Sequence, residues 1–167
     1  MQPTLIKKIQ KELNQQWDSE IIPVLQDYIK IPNKSPMFDK KWEENGYMDK
    51  AVELFKSWCE TQTIKNKKIT VIKSKGRTPL LLIDIPGSAD GNILMYGHLD
   101  KQPEMEGWEK DLGPWKPVLR GNKLYGRGGA DDGYSVFAAL SSIAALQRHN
   151  IPHARCLVLI EASEESG

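Results

Sequence analysis

The chain has 167 residues, 40% of them hydrophobic and 27% charged, the proportions of one ordinary globular domain with enough apolar material for a core. Its 23 Lys and Arg against 22 Asp and Glu leave a net charge of +1 with no basic stripe or acidic tail, which argues against nucleic acid or anionic lipid as a partner. No apolar run approaches the roughly 20 residues of a membrane span, and the first residues lack the pattern of a secretory signal, so a cytoplasmic protein is expected.

In chain order, Leu5, Ile9, Leu13 and Trp17 recur every four residues, and Ile21, Leu25, Tyr28 and Ile29 continue a helical stripe. Pro23 fits the first turn of a second helix. The stretch Ile31 to Pro36 holds two prolines, each restricting the residue before it, and reads as a loop. Met48, Val52, Phe55 and Trp58, with Ala51 and Cys59, form another amphipathic helix.

The period then shortens. Ile69 to Ile72, Leu80 to Ile83 and Ile93 to Tyr96 read as strands, and their near-continuous apolar character suggests a sheet buried on both faces. Gly121-Asn122 suits a tight hairpin between Val118-Leu119-Arg120 and Lys123-Leu124-Tyr125. After the loop Gly126-Arg127-Gly128-Gly129, a helix is expected to open at Asp131 and to end near Asn150, because Pro152 cannot continue it. Cys156 to Ile160 is a core strand. The strand, helix, strand order from Ile93 to Ile160 is that of a parallel crossover, and the whole reads as a three-layer α/β domain. Cys59 and Cys156 belong to no C-x-x-C pair and read as buried free thiols.

The chemistry gathers at strand ends. His98 and Asp100 close one strand on the same face, a spacing that suits a metal-ligating imidazole and the carboxylate that orients it. Glu164 and Glu165 lie just past a second parallel strand, on the carboxyl side where open α/β sheets place their ligands. Asp131 and Asp132 stand at a helix start, where one of them could simply cap the helix, but the glycine-rich loop before them favours a special geometry. One histidine and several carboxylates without cysteine describe an oxygen-rich site for Zn, Mn or Co. Adjacent glutamates project differently, so one can hold metal while its neighbour moves a proton, the division that metal-assisted hydrolysis needs. Trp108 and Trp115 read as anchors of a long loop, Arg127 as a brace for the glycine loop, and His149 and His153 as solvated.

These residues, in this order, resemble the family-20 metallopeptidases, which include carnosinases, cytosolic dipeptidases, acetylornithine deacetylase and succinyl-diaminopimelate desuccinylase. The resemblance is carried by Ile31 to Pro36, by Gly76 to Leu81, by Tyr96-Gly97-His98-Leu99-Asp100, by Leu124 to Gly133, and by Glu161-Ala162-Ser163-Glu164-Glu165-Ser166-Gly167. It implies that residues 1–167 are the amino-terminal portion of a zinc-exopeptidase-like α/β/α catalytic domain, without its lid domain. It further implies two divalent ions, with Zn first and Mn or Co as alternatives. His98 would bind one ion, Glu165 the other, and Asp131 would bridge them. Glu164 would be the general base and acid, Asp100 would support the histidine, and the Asp131–Asp132 peptide would be cis. The implied substrate is a small peptide or an N-acyl amino acid, and the implied assembly of the full-length protein is a homodimer through the lid. The segment Met105 to Pro117 leans towards the dipeptidase and carnosinase branch.

Members of the family take a further acidic and a further histidine ligand from later in the chain, so the 167 residues alone are expected to be inactive. Two other readings stay open: a binding module that kept the fold and lost the chemistry, and a two-metal aminopeptidase of a related family.

Overall fold

The computed structural model describes residues 3–167. Helix α1 (Pro3–Gln16) runs through a wider turn at Trp17–Ile21 into α2 (Ile22–Ile29), with Pro23 at its start. A loop leads to the short α3 (Trp42–Asn45) and to α4 (Tyr47–Thr61). Gly46, at φ +67°, makes the left-handed joint between these two helices that a side chain would resist. Strands β1 (Lys68–Ser74), β2 (Arg77–Ile85) and β3 (Asn92–His98) follow, then the hairpin β4 (Val118–Arg120) and β5 (Lys123–Tyr125), helix α5 (Ser135–Arg148) and strand β6 (Arg155–Glu161).

The main sheet has the order β1-β2-β6-β3. β6 pairs with β3 in parallel, as the crossover through α5 requires, and with β2 antiparallel, so the sheet is mixed. The parallel register sets Gly97 beside Ile160 and His98 beside Glu161. It therefore brings the carboxyl ends of β3 and β6, and the loops that leave them, to the same edge of the sheet.

Alternation along the strands decides the core. Leu81, Ile83 and Ile85 of β2 and Cys156, Val158 and Ile160 of β6 are buried in one cluster with Phe55 and Trp58 of α4 and Phe137 and Leu140 of α5. Phe55, Phe137 and Trp58 stack edge to face, with ring centroids 4.6 to 5.3 Å apart, and Tyr28 of α2 leans on Phe55 at 4.8 Å. Cys59 and Cys156 are buried and free, as read from their spacing.

The α/β architecture is the expected one, and the described residues supply the sheet and one helical layer. Burial on both faces of the sheet is not met among them. The residues that alternate with the core set are half-buried in β2 and β6, and in β3 they open to solvent, with Leu94 62% and Tyr96 55% exposed. Continuous apolar runs thus do not distinguish a face covered by this chain from one left open.

Two local expectations are also corrected. Helix α5 begins at Ser135, not Asp131, because Asp131 and Asp132 hold non-helical backbone angles. Neither residue caps the helix through its side chain. His149 is not solvated: its ring is 10% exposed and its Nε2 stands 2.9 Å from Glu12, which ties α5 to α1.

Candidate metal centre

His98 is the last residue of β3, and its ring is held between two aspartates. Nε2 lies 3.3 Å from Asp131 Oδ1, and Nδ1 lies 3.2 Å from the Asp100 carbonyl and 3.4 Å from Asp100 Oδ1. Burial works against the imidazolium, but hydrogen bonding and charge from Asp100, joined by Asp132, outweigh it and raise the His98 pKa to about 9. In the metal-free chain the ring is therefore a cation, and a metal ion must displace its proton.

Asp131 sits in the turn Gly129–Gly133, closed by a 2.8 Å bond from the Gly133 N–H to the Gly128 carbonyl. The peptide between Asp131 and Asp132 is cis, as the resemblance implies. The turn faces two ways. Asp131 is open, with its side chain 67% exposed, while Asp132 turns in and accepts the His98 backbone N–H at 3.3 Å. Burial pushes the Asp132 pKa upward, only partly relieved by this bond and by the Ser135 hydroxyl. Gly97 makes the close approach possible, because a Cβ there would collide with the Ser135 hydroxyl and lie 2.8 Å from Asp132 Oδ2.

The glutamates leave the other parallel strand in a single 3₁₀ turn, Glu164–Ser166. Asp100, wholly buried, accepts the backbone N–H of Glu164 at 3.2 Å and that of Glu165 at 3.0 Å. Burial raises its pKa, but hydrogen bonds from His98, Ser35 and Glu165 prevail, and the carboxyl ends below its ordinary value. Asp100 touches no open space, so it acts through the residues it holds.

His98, Asp131 and Glu165 each turn a potential ligand atom inward, and these atoms lie within 4.8 Å of one another. Among the described residues this is the one group of three or more His, Cys, Asp and Glu side chains so arranged. Glu165 Oε2 accepts from Gln102, whereas Glu165 Oε1 is buried with no partner. An unpaired buried carboxylate oxygen beside another carboxylate is costly unless a cation meets it. Burial and the charge of Asp131 accordingly push the Glu165 pKa up, against the Gln102 bond. One nitrogen and two carboxylates match the preferences of zinc-like ions, so the residues fit a metal. Glu164, 47% exposed, brings Oε2 to 3.9 Å from His98 Nε2, at the mouth of the group.

Residues 94–167 match the sequence model of Peptidase family M20/M25/M40. Over that stretch the chain resembles this family. It is 28% identical over 152 residues to an uncharacterized metallohydrolase of Methanocaldococcus jannaschii, an alignment covering 87% of this chain and 36% of that protein. Succinyl-diaminopimelate desuccinylase of Nitrosospira multiformis is 38% identical over 77 residues, covering 45% of this chain and 20% of the enzyme. Among solved structures, human carnosine dipeptidase 1 superposes with a TM-score of 0.73 at 22% identity, over 99% of this chain and 36% of that one. The chain thus spans about a third or less of the length of these relatives.

The motif residues supply the converging group, and the structure adds supporting contacts that the motifs do not spell out. Gln102 holds Glu165; Asn33 and the Tyr28 hydroxyl both donate to the Leu99 carbonyl; Ser35 bonds Ser166 at 2.6 Å. All are polar residues in or beside loops, a signal shared with any solvated loop. Of the residues read as loop supports, Trp108 donates to the Glu104 carbonyl and Arg127 fastens its loop through its backbone N–H on the Pro114 carbonyl. His153 lies at the other end of β6, where it meets Gln147.

Proposed function

We propose that the chain carries the core of a two-metal amide hydrolase site whose substrates are small peptides or N-acyl amino acids. The observation that carries this reading is the inward convergence of His98, Asp131 and Glu165, with Glu164 at its mouth. His98 would hold one ion, Glu165 the other, and Asp131 would bridge them. Divalent ions held there supply a Lewis acid for the amide carbonyl and lower the pKa of an attacking water.

Glu164 takes the proton of that water as its oxygen forms a bond to the carbonyl carbon. It then returns the proton to the amine nitrogen as the C–N bond breaks, so the carboxylate is regenerated. Its exposure suits this task, since a carboxylate that trades protons with water and substrate must reach both. Asp100 and Gln102 work by orientation, the first fixing the glutamate backbone and the second the Glu165 carboxylate. Relatives named a succinyl-diaminopimelate desuccinylase and a Beta-Ala-His dipeptidase support the substrate class.

The described residues offer each ion two protein ligands, Asp131 being shared, against the three that catalytic zinc sites keep. The 167-residue chain is therefore expected to bind metal and to turn over poorly. Titration with Zn(II) and assay against dipeptides and N-acyl amino acids test both statements. Failure to bind zinc at micromolar concentration, or binding unchanged in His98→Ala, sinks the metal reading; robust turnover sinks the expectation of inactivity.

A further inference from the structure

Lys101 is wholly buried, although it follows directly on the acidic loop His98-Leu99-Asp100. Its ammonium donates at 2.8 Å to the carbonyl of Tyr28 and at 2.8 Å to that of Ile31, at and just beyond the end of α2. It also lies 3.8 Å from the centre of the Tyr28 ring and 5.3 Å from that of Trp115. Burial pushes the ammonium well below its ordinary pKa. The two carbonyls at the negative end of a helix and the aromatic faces are what offset that cost.

The stem of the same side chain forms a floor. A Cβ on Gly128 would stand 2.6 Å from Lys101 Cε and 2.8 Å from Cγ, so the glycine backbone rests directly on it. Gly128 in turn offers the carbonyl that closes the Asp131 turn. The Lys101 backbone carbonyl accepts the Ser35 N–H at 2.9 Å, and Ser35 reaches Ser166, next to Glu165. One residue thus touches or continues every segment that delivers a ligand: its own strand end, the Asp131 turn, and the loop that holds the glutamate turn.

We propose that Lys101 is a positioning residue for the metal centre, using α2 as an anchor to set the relative height of the His98, Asp131 and Glu165 loops. This rests on the metal reading above. It predicts that Lys101→Met, which keeps the stem length but takes the ammonium from both carbonyls and leaves the Tyr28 carbonyl only the Ile31 N–H, loosens these loops before it loosens the core.

Hydrogen exchange of the metal-free 167-residue chain reads the positioning without any metal. Exchange over residues 31–35 and 126–133 is expected to rise at least about tenfold in Lys101→Met, with α5 and β2 unchanged. Co(II) affinity is expected to fall about 10- to 100-fold, as for other residues that orient ligands, with an altered visible Co(II) spectrum. Unchanged exchange in those two segments overturns the proposal. So does a uniform rise across α5 and β6 with an unaltered Co(II) spectrum, which is the mark of a merely structural lysine. If wild type fails to bind Co(II), the metal reading falls while exchange still decides the role of Lys101. Should Lys101→Met not fold, Gly128→Ala lifts the loop off an intact Lys101. It is expected to raise exchange at 126–133 alone and to weaken Co(II), and normal values for both overturn the proposal.

Discussion

The carboxylate of Asp100 accepts the backbone N–H of Glu165 at 3.0 Å while its other oxygen accepts that of Glu164 at 3.2 Å. A residue two positions beyond the histidine therefore organises a turn that lies 64 residues further along the chain. Because β3 and β6 are parallel neighbours, both loops leave the sheet at the same edge, and one buried carboxylate can serve the two.

Asp100→Asn removes an acceptor from this arrangement. The amide offers one oxygen where the carboxylate offers two, so one of the two glutamate N–H groups loses its partner and the charge beside His98 is gone. Stability is expected to fall by about 1–3 kcal/mol and zinc affinity by about 10- to 100-fold. Urea unfolding and zinc titration measure the two, and an unchanged affinity would show that Asp100 orients nothing.

The His98 pKa of about 9 makes the metal-free chain sensitive to alkali. A histidine whose folded pKa lies above its ordinary 6.5 contributes stability fully below that value and loses it as pH rises towards 9. The loss is on the order of 3 kcal/mol. Asp100, held below 3.8, contributes above that value and loses its share as pH falls through its folded pKa. Metal-free unfolding free energy should therefore decline from pH 6.5 to 9, and His98→Gln should flatten the decline. Added zinc should stabilise more at the higher pH, because it competes with one proton fewer. A metal-free chain equally stable at both pH values would contradict this account.

Gly97 carries a steric demand, not a conformational one. Gly97→Ala forces β3 away from Ser135 and Asp132 at the start of α5. A loss of about 1–3 kcal/mol from overpacking is expected, together with weaker zinc binding, since His98 is the next residue. Thermal unfolding within about 0.5 kcal/mol of wild type would mean that the helix start yields freely.

Tyr28→Phe separates packing from polarity. The ring stays in the aromatic stack, and Asn33 still donates to the Leu99 carbonyl, so the cost should be only about 0.5–1.5 kcal/mol. Phe55→Ala, which empties the centre of the same stack, should cost about 3–5 kcal/mol. Denaturant titrations rank the two, and the reverse order would relocate the core's weight.

Glu164→Gln should leave zinc affinity within about twofold, because Glu164 stands outside the converging ligand trio. In any form of the protein that hydrolyses amides, the same change should lower kcat by about 10²- to 10⁴-fold. Retained hydrolysis would assign the proton transfer to another group.

Much of this was legible in the residues alone. Periodicity located the helices and strands, because burying one face of a helix or strand imposes its period on the sequence. The parallel pairing of β3 and β6 followed from a helix lying between them, and that pairing is why His98 and the Glu164-Glu165 pair could be read as neighbours from strand ends, while the resemblance added Asp131 to His98 and Glu165 as a ligand. Three matters needed the folded chain. Which sheet face the chain covers depends on where its helices pack, and the apolar Leu94 and Tyr96 look the same in sequence whether covered or open. Asp131 has the composition of a helix cap, yet α5 starts only at Ser135, because the backbone at Asp131 and Asp132 is non-helical and Asp131 turns its carboxylate to His98. Lys101 carries no signal in sequence, because a lysine in a polar loop is ordinarily solvated. Its burial depends on the end of α2 and on Gly128, groups brought to it by tertiary contact across 70 residues. Local pattern sets which segments form; the loops at the sheet edge take their geometry from what packs beneath them.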